Sequence, residues 1–221
     1  FHARYAFSDF KEWGNKHNNF FSTYLSIAKK TKCFFDVGAH IGIVTLPVAK
    51  IIEGNGKVFS FEPSKNNLFY LKYHVRKNKL KNVQIIDKAV SSKNEHSSLY
   101  EANQPTGMSS LIPIKSKKIT IRSSVESITL DDFCDNNKIR PEIIKVDIEG
   151  SEIELLNGSK KIMKKLKPVF FLSYHPDHIR KIGYKKDELL ILLDKLNYEI
   201  INFKFEKPKI LKNSEYFIFP K

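Results

Sequence analysis

From Thr31 onward, short apolar runs alternate with longer stretches in which apolar positions recur at helical spacing. That alternation predicts βαβ units and a parallel sheet. "KCFFDV" (32–37), "KVFSFEP" (57–63), "NVQIIDKAV" (82–90), "EIIKVDIEG" (142–150) and "PVFFLSYHP" (168–176) are the predicted strands. A helix is predicted from Gly42 to Ile52, with Ile43, Leu46, Val48 and Ala49 as its apolar face; Pro47 inside it calls for a kink or a later start. Ser64 is placed to cap a helix running to about Asn78, with Leu68, Leu71 and Val75 turned inward. Ser151 and Glu154 have the S-x-x-E spacing of a capping box for a helix over 151–161, and "KKDELLILLDKL" (185–196) is a further helix. "EIINFKF" and "SEYFIFP" then follow one another with no helix between them, so they run antiparallel if they pair.

Two segments break this rhythm. Residues 92–130 hold "SSLYEA" and "KKITIRSSVESITL", which read as paired antiparallel strands, joined by "NQPTGMSSLIPIK", which has Pro and Gly but no periodicity. This is a β-rich insertion with a candidate substrate loop. Residues 1–30 carry Phe7, Phe10, Trp13, Phe20, Phe21 and Tyr24, too aromatic for a free tail, and are expected to form helices packed on the sheet or over its ligand edge. The expected organisation is a single domain over 1–221, with a helical segment at 1–30 and an α/β core at 31–221.

Composition adds constraints. At 221 residues, 41% of them hydrophobic, there is enough apolar material for one globular core. No run is long enough to span a membrane, and the first residues lack the layout of a secretory signal. Cys33 and Cys134 belong to no C-x-x-C pair and read as reduced core residues of a cytoplasmic protein. The formal charge of +14 favours acidic partners such as nucleic acid or anionic lipid. Nearly all of it is lysine, however, with arginine only at Arg4, Arg76, Arg122, Arg140 and Arg180. A solvated lysine surface therefore stands ahead of a nucleic-acid face, which would favour the forked guanidinium.

In an open parallel sheet the ligand crevice lies off the carboxyl ends of the strands. Those ends carry Asp36, Gly38, Ala39, His40 and Gly42; then Glu62; then Asp87; then Asp147 and Glu149; then His175. A glycine turn admits close backbone approach, and a carboxylate ending the second strand can take both hydroxyls of a ribose. A nicotinamide dinucleotide wants G-x-G-x-x-G, but here the middle glycine is missing and Asp36 would face the phosphates. A carboxylate in that place suits a cationic ligand without phosphates. S-adenosylmethionine, with its ammonium, sulfonium and ribose diol, has that chemistry.

"FFDVGAHIGIVT", "FSFEP", "ITLDDF" and "IIKVDIEGSEIELLNG", in that order over about residues 33–160, resemble the successive motifs of the FkbM-type S-adenosylmethionine-dependent methyltransferases. The resemblance implies a Rossmann-like, seven-stranded, mostly parallel sheet in the order 3-2-1-4-5-7-6, its seventh strand antiparallel, with helices on both faces. It also implies methyl transfer, often to a hydroxyl of a sugar or polyketide product. Carried over by position, Asp36 and Gly38 to Gly42 border the methionine end, Glu62 the ribose, and Asp87, Lys88 and Ala89 the adenine. By the same resemblance Asp147 and Glu149 lie beside the methionine end and the acceptor. His40 stands where the family usually has Asn, and Ser173 where an acid commonly precedes the strand-end His.

His175 is the leading candidate for a base that takes the acceptor's proton, with Asp147 and Glu149 next. Each has a structural reading of similar weight: His175 as the turn before Pro176, Glu149 as a charge at the following helix N-terminus. Asp87 reads equally as a turn residue, and Asp131 and Asp132 as helix caps. Asp147, Glu149 and His175 are also a facial metal-ligand set by type, but sequence proximity alone gives no reason to place an ion there, and none is expected. The acceptor expected is a sugar, glycan or small-molecule hydroxyl. The N/D-P-P-Y/F motif of base methyltransferases is replaced by "DIEG", which leaves RNA 2′-hydroxyl methylation, with Lys145 nearby, as the runner-up and an inactive cofactor-binding module as a third reading. Nothing in the sequence fixes the oligomeric state.

Overall fold

The computed structural model describes residues 21–102, 109–113 and 120–221. Its main sheet is built from β1 (Cys33–Val37), β2 (Lys57–Phe61), β3 (Val83–Ile86), β7 (Ile143–Val146), β8 (Val169–Tyr174), β9 (Tyr198–Ile201) and β10 (Ser214–Pro220). They lie in the order β3-β2-β1-β7-β8-β10-β9. β1 pairs in parallel with β2 and β7, and β10 pairs antiparallel with β8 and β9. Numbering these strands by their own succession gives 3-2-1-4-5-7-6, the order the resemblance implies.

Neighbouring residues on a strand point to opposite faces, so a continuous apolar run fills two cores at once. Phe35, Ile144 and Phe170 turn to one face, where α4 (Leu130–Asn137), α5 (Glu152–Asn157), α6 (Lys160–Lys165) and α8 (Glu188–Lys195) pack through Leu130, Leu155, Met163 and Leu193. Phe34, Ile143 and Phe171 turn to the other, against α1 (Phe21–Ala28) and α2 (Thr45–Ile51) through Ala28, Val48 and Ala49. Phe133 of α4 meets Phe35, Phe59 and Phe61 edge-on.

α2 begins at Thr45, three residues later than Gly42, which leaves Pro47 in the first turn where its missing N–H costs nothing. Ser64 caps α3 (Lys65–Lys77) by accepting from the Asn67 amide, as predicted. The run at 82–90 divides at Asp87: β3 ends in the main sheet, and β4 (Ala89–Val90) joins β6 (Thr120–Ile128) in a second, three-stranded sheet. In that sheet β5 (Glu95–Ala102) and β6 are antiparallel, as expected of the insertion. The helix expected over 151–161 is two short helices broken at Gly158 and Ser159. Its capping box is not made, because the Ser151 side chain makes no cap and Glu154 instead accepts from Ser92 and Tyr184. Of the N-terminal aromatics, Phe7, Phe10, Trp13 and Phe20 lie outside the described residues.

Both cysteines are unpaired, and burial raises each thiol to about 12, so neither is a nucleophile near neutrality. Among the described residues no helix is long and apolar enough to cross a membrane.

Candidate active site

The β1–α2 turn is fixed from below and from the side. Gly38 and Ala39 donate their amides to the carbonyl of Phe61 at the end of β2. Gly38 has φ 77, and a Cβ there would stand 1.9 Å from the carbonyl oxygen of Asp147, so the turn closes on β7 only with glycine. Gly42, at φ 97, lies against Leu46 and Leu71 in the same way.

Beneath the turn lies Asp36, fully buried. It accepts from Thr45 Oγ1 at 2.6 Å and pairs with Lys145 Nζ at 3.2 Å, while Lys145 also donates to the Gly38 carbonyl at 2.8 Å. Burial opposes the charge on Lys145, but Asp36, Asp147 and Glu62 outweigh it and hold its pKa above the ordinary value. Asp36 is therefore neutralised within the fold and does not line the cleft. The electrostatic reason given above for a cationic ligand does not hold, and Asp36 acts on the turn through Lys145.

The cleft lies at the carboxyl ends of β1, β2 and β7. Of the residues picked out by sequence, Gly38, His40, Glu62, Lys88, Ala89 and Asp147 line it, whereas Asp36, Ala39, Gly42 and Asp87 do not. Asn67, Leu99, Ser110 and Leu111 also line it; Ser110 and Leu111 belong to the candidate substrate loop, whereas Asn67 and Leu99 carried no site expectation. Asn67 was legible as the third residue of a capped helix but carried no chemical signal, and the other three come from the insertion, whose path no local pattern sets.

Glu62 is buried at one side of the cleft. It accepts from the His40 amide at 2.8 Å, the Ser64 amide at 3.0 Å and Asn67 Nδ2 at 3.2 Å, so it joins the β1–α2 turn to the start of α3. Burial still raises its pKa to about 7 against those three bonds. His40 has φ 52, a left-handed conformation that Asn, Asp and His adopt more readily than other side chains, which accounts for His in an Asn position. Burial, helped by Lys145, lowers its pKa to about 4, so the ring is neutral near pH 7.

Past Asp147 the cleft meets a cluster. His175, the residue preceding α7 (Pro176–Lys181), turns Nδ1 to Glu152 Oε1 at 2.7 Å and Nε2 toward Asp147 Oδ1 at 3.8 Å and Glu149 Oε2 at 3.7 Å. Asp147, Glu149 and His175 each place one ligand atom within 4.8 Å of the others. Burial works against charge on His175, but the bond to Glu152 and the charges of Glu152, Glu149 and Asp147 together raise its pKa to about 9. Burial raises Glu149 to about 7, with Asp147 and Glu152 adding to it. An imidazole surrounded by three carboxylates is held as its cation, so the expectation of a ring titrating near neutrality does not fit this setting.

The insertion seats this cluster. Ser110 pairs with Tyr100 of β5 and donates its Oγ to the Glu149 carbonyl at 2.8 Å. Glu149 and Gly150 both have positive φ, and a Cβ on Gly150 would meet His178 Cβ at 2.5 Å and Ile112 Cδ1 at 2.7 Å.

A family model described as the methyltransferase FkbM domain matches residues 36–200. No curated protein sequence matches the chain. Among solved structures, methyltransferase FkbM from Methylobacillus flagellatus KT is 19% identical with a TM-score of 0.56, over 86% of this chain and 43% of that one. The chain thus spans less than half the length of that relative. A protein from Staphylococcus aureus, provisionally named a caffeoyl-CoA O-methyltransferase, gives 11% identity and a TM-score of 0.55 over 98% and 90% of the two chains. One from Clostridium thermocellum, provisionally named an rRNA methylase, gives 10% and 0.52 over 90% and 95%. At such identities these likenesses speak to the fold alone. The family match covers most of the chain and coincides with the strand ends that build the cleft: the chain belongs to the FkbM family of S-adenosylmethionine-dependent methyltransferases.

Proposed function

We propose that the protein transfers the methyl group of S-adenosylmethionine to a hydroxyl oxygen of a sugar, glycan or small-molecule acceptor. The observation that supports this best is the layout around one cleft: a glycine turn on its floor, the buried Glu62 carboxylate on one side and, beside it, the Asp147–Glu149–His175 cluster, which reaches the cleft through Asp147.

In this reading Glu62 takes the ribose hydroxyls, which donate to a carboxylate already oriented by three hydrogen bonds. Lys88 and Ala89 border the adenine, with Asp87 supporting them at the point where β3 ends. Gly38 to Gly42 and Asp147 bound the methionine end. Asp36 and Lys145 hold that turn in place from beneath and touch no ligand.

Methyl transfer from a sulfonium is an in-line displacement, so holding the acceptor oxygen against the methyl carbon and excluding water supply most of the advantage. The acceptor O–H loses its proton as the O–C bond forms and the C–S bond breaks. In this reading the acceptor hydroxyl lies against the cluster, and a carboxylate of Asp147 or Glu149 receives its proton while the positive charge held at His175 balances theirs. The neutral thioether that remains is S-adenosylhomocysteine.

The test is calorimetry with S-adenosylhomocysteine on the wild type and Glu62→Ala. Binding by the first and loss by the second supports the assignment, equal binding by both removes Glu62 from the ribose site, and no binding by the wild type removes the function. A second reading, RNA 2′-hydroxyl methylation, draws on the net charge of +14 and predicts steep loss of acceptor binding with salt.

A further inference from the structure

We infer that Asp147, Glu149 and His175 form a binding site for one divalent transition-metal ion. The inference concerns the cluster itself and stands independently of the acceptor.

The three side chains come from the ends of two strands, β7 and β8, and converge on one point beside the cleft. Two carboxylates and one imidazole on one side of an ion form a facial set that leaves positions open for water or hydroxyls. The separations of 3.7 and 3.8 Å from His175 Nε2 are too long for direct hydrogen bonds. Donors on an octahedral ion with bonds of about 2.1 Å stand about 3 Å apart, so each side chain needs to close by less than about 1 Å. Asp147 and Glu149 are both partly exposed, which gives them room to do so.

A second observation points to the same ligand. Glu152 is fully buried, and its Oε1 accepts from both His175 Nδ1 and the Gly150 amide. Its Oε2 is buried with no hydrogen-bond partner among the described residues. A carboxylate buried at that cost, behind a histidine, holds the Nδ1 proton and turns Nε2 toward Asp147 and Glu149, where a bound ion would take the place of the Nε2 proton. That is the arrangement found behind metal-bound histidines, where the outer carboxylate orients the ring and raises its basicity. Ser110 and His178 hold the Glu149 carbonyl, at 2.8 and 3.1 Å, so the backbone that carries the second carboxylate is fixed as well. Mixed nitrogen and oxygen donors favour manganese, iron, cobalt or zinc over calcium.

The test is a titration of the metal-free protein with Mn2+, followed by loss of the free-ion signal in electron paramagnetic resonance, without cofactor or acceptor. The wild type is expected to take up one ion per chain. Glu149→Gln and Asp147→Asn are expected to weaken uptake at least about tenfold with unchanged circular dichroism, and Glu152→Gln by about 10- to 100-fold. Asp177→Asn, an exposed acid on the neighbouring helix, is expected to leave it unchanged. No uptake by the wild type at millimolar Mn2+, or equal uptake by Glu149→Gln and Asp147→Asn, overturns the inference. Either result leaves the cofactor titration with Glu62→Ala untouched, so the two claims fail separately.

Discussion

Binding of S-adenosylhomocysteine is predicted to release a proton from Glu62 under mildly acidic conditions. In the free protein burial raises this carboxyl from 4.5 to about 7. The folded state therefore holds the proton more tightly than the unfolded chain does. The stability this brings is present at low pH and is lost as pH rises from about 4.5 to about 7, a change of about 3 kcal/mol. Two ribose hydroxyls donating to the carboxylate favour its charged form and lower its pKa in the complex. At about pH 6 the free group is roughly nine-tenths protonated, so binding releases close to one proton, whereas at about pH 8 it releases almost none. The dissociation constant is then about tenfold weaker at the lower pH, worth about 1.4 kcal/mol. Calorimetry in two buffers of different ionisation enthalpy counts the protons directly. Glu62→Gln, which has no proton to release, is the control. A wild-type count near zero at the lower pH, or one matched by Glu62→Gln, refutes the contact between Glu62 and the ribose.

Lys145→Met is expected to destabilise the fold by about 3–5 kcal/mol in urea, because it strands the buried Asp36 charge, and Asp36→Asn in the same chain is expected to recover part of that. Gly38→Ala is expected to cost at least about 2 kcal/mol, since its Cβ meets the Asp147 carbonyl at a positive φ. With an acceptor in hand, His175→Asn is expected to slow single-turnover transfer by about 10²-fold or more and to leave S-adenosylhomocysteine affinity unchanged, because His175 lies outside the cleft lining. Equal losses in both would make its role structural.

The strand runs carried the fold because Phe34 and Phe35, or Phe170 and Phe171, must fill opposite faces of one sheet, a demand that local composition records directly. Ser64 was legible for a similar reason, since its cap depends only on residues three apart. Where the sequence reading went astray, a distant partner had intervened. Ser151 and Glu154 have the spacing of a capping box, yet Ser92 and Tyr184 claim Glu154. Asp36 sits where a ligand carboxylate belongs, but Lys145, more than a hundred residues on, takes its charge. Glu152 lies within a quoted motif but was given no role, because its part depends on His175 arriving from the end of β8. The candidate site was thus visible as a set of strand ends, while which of those ends face the cleft depended on contacts that only the folded chain brings together.

The central claim, methyl transfer to a hydroxyl of a glycan or small molecule, is tested most directly by incubating the protein with S-adenosylmethionine labelled in the methyl group and fractionated extract of its source cell. The account predicts label in the glycan or small-molecule fraction, stable to ribonuclease and recovered as an O-methyl ether. Label that ribonuclease removes, or no transfer to any fraction by protein that binds S-adenosylhomocysteine, would contradict it.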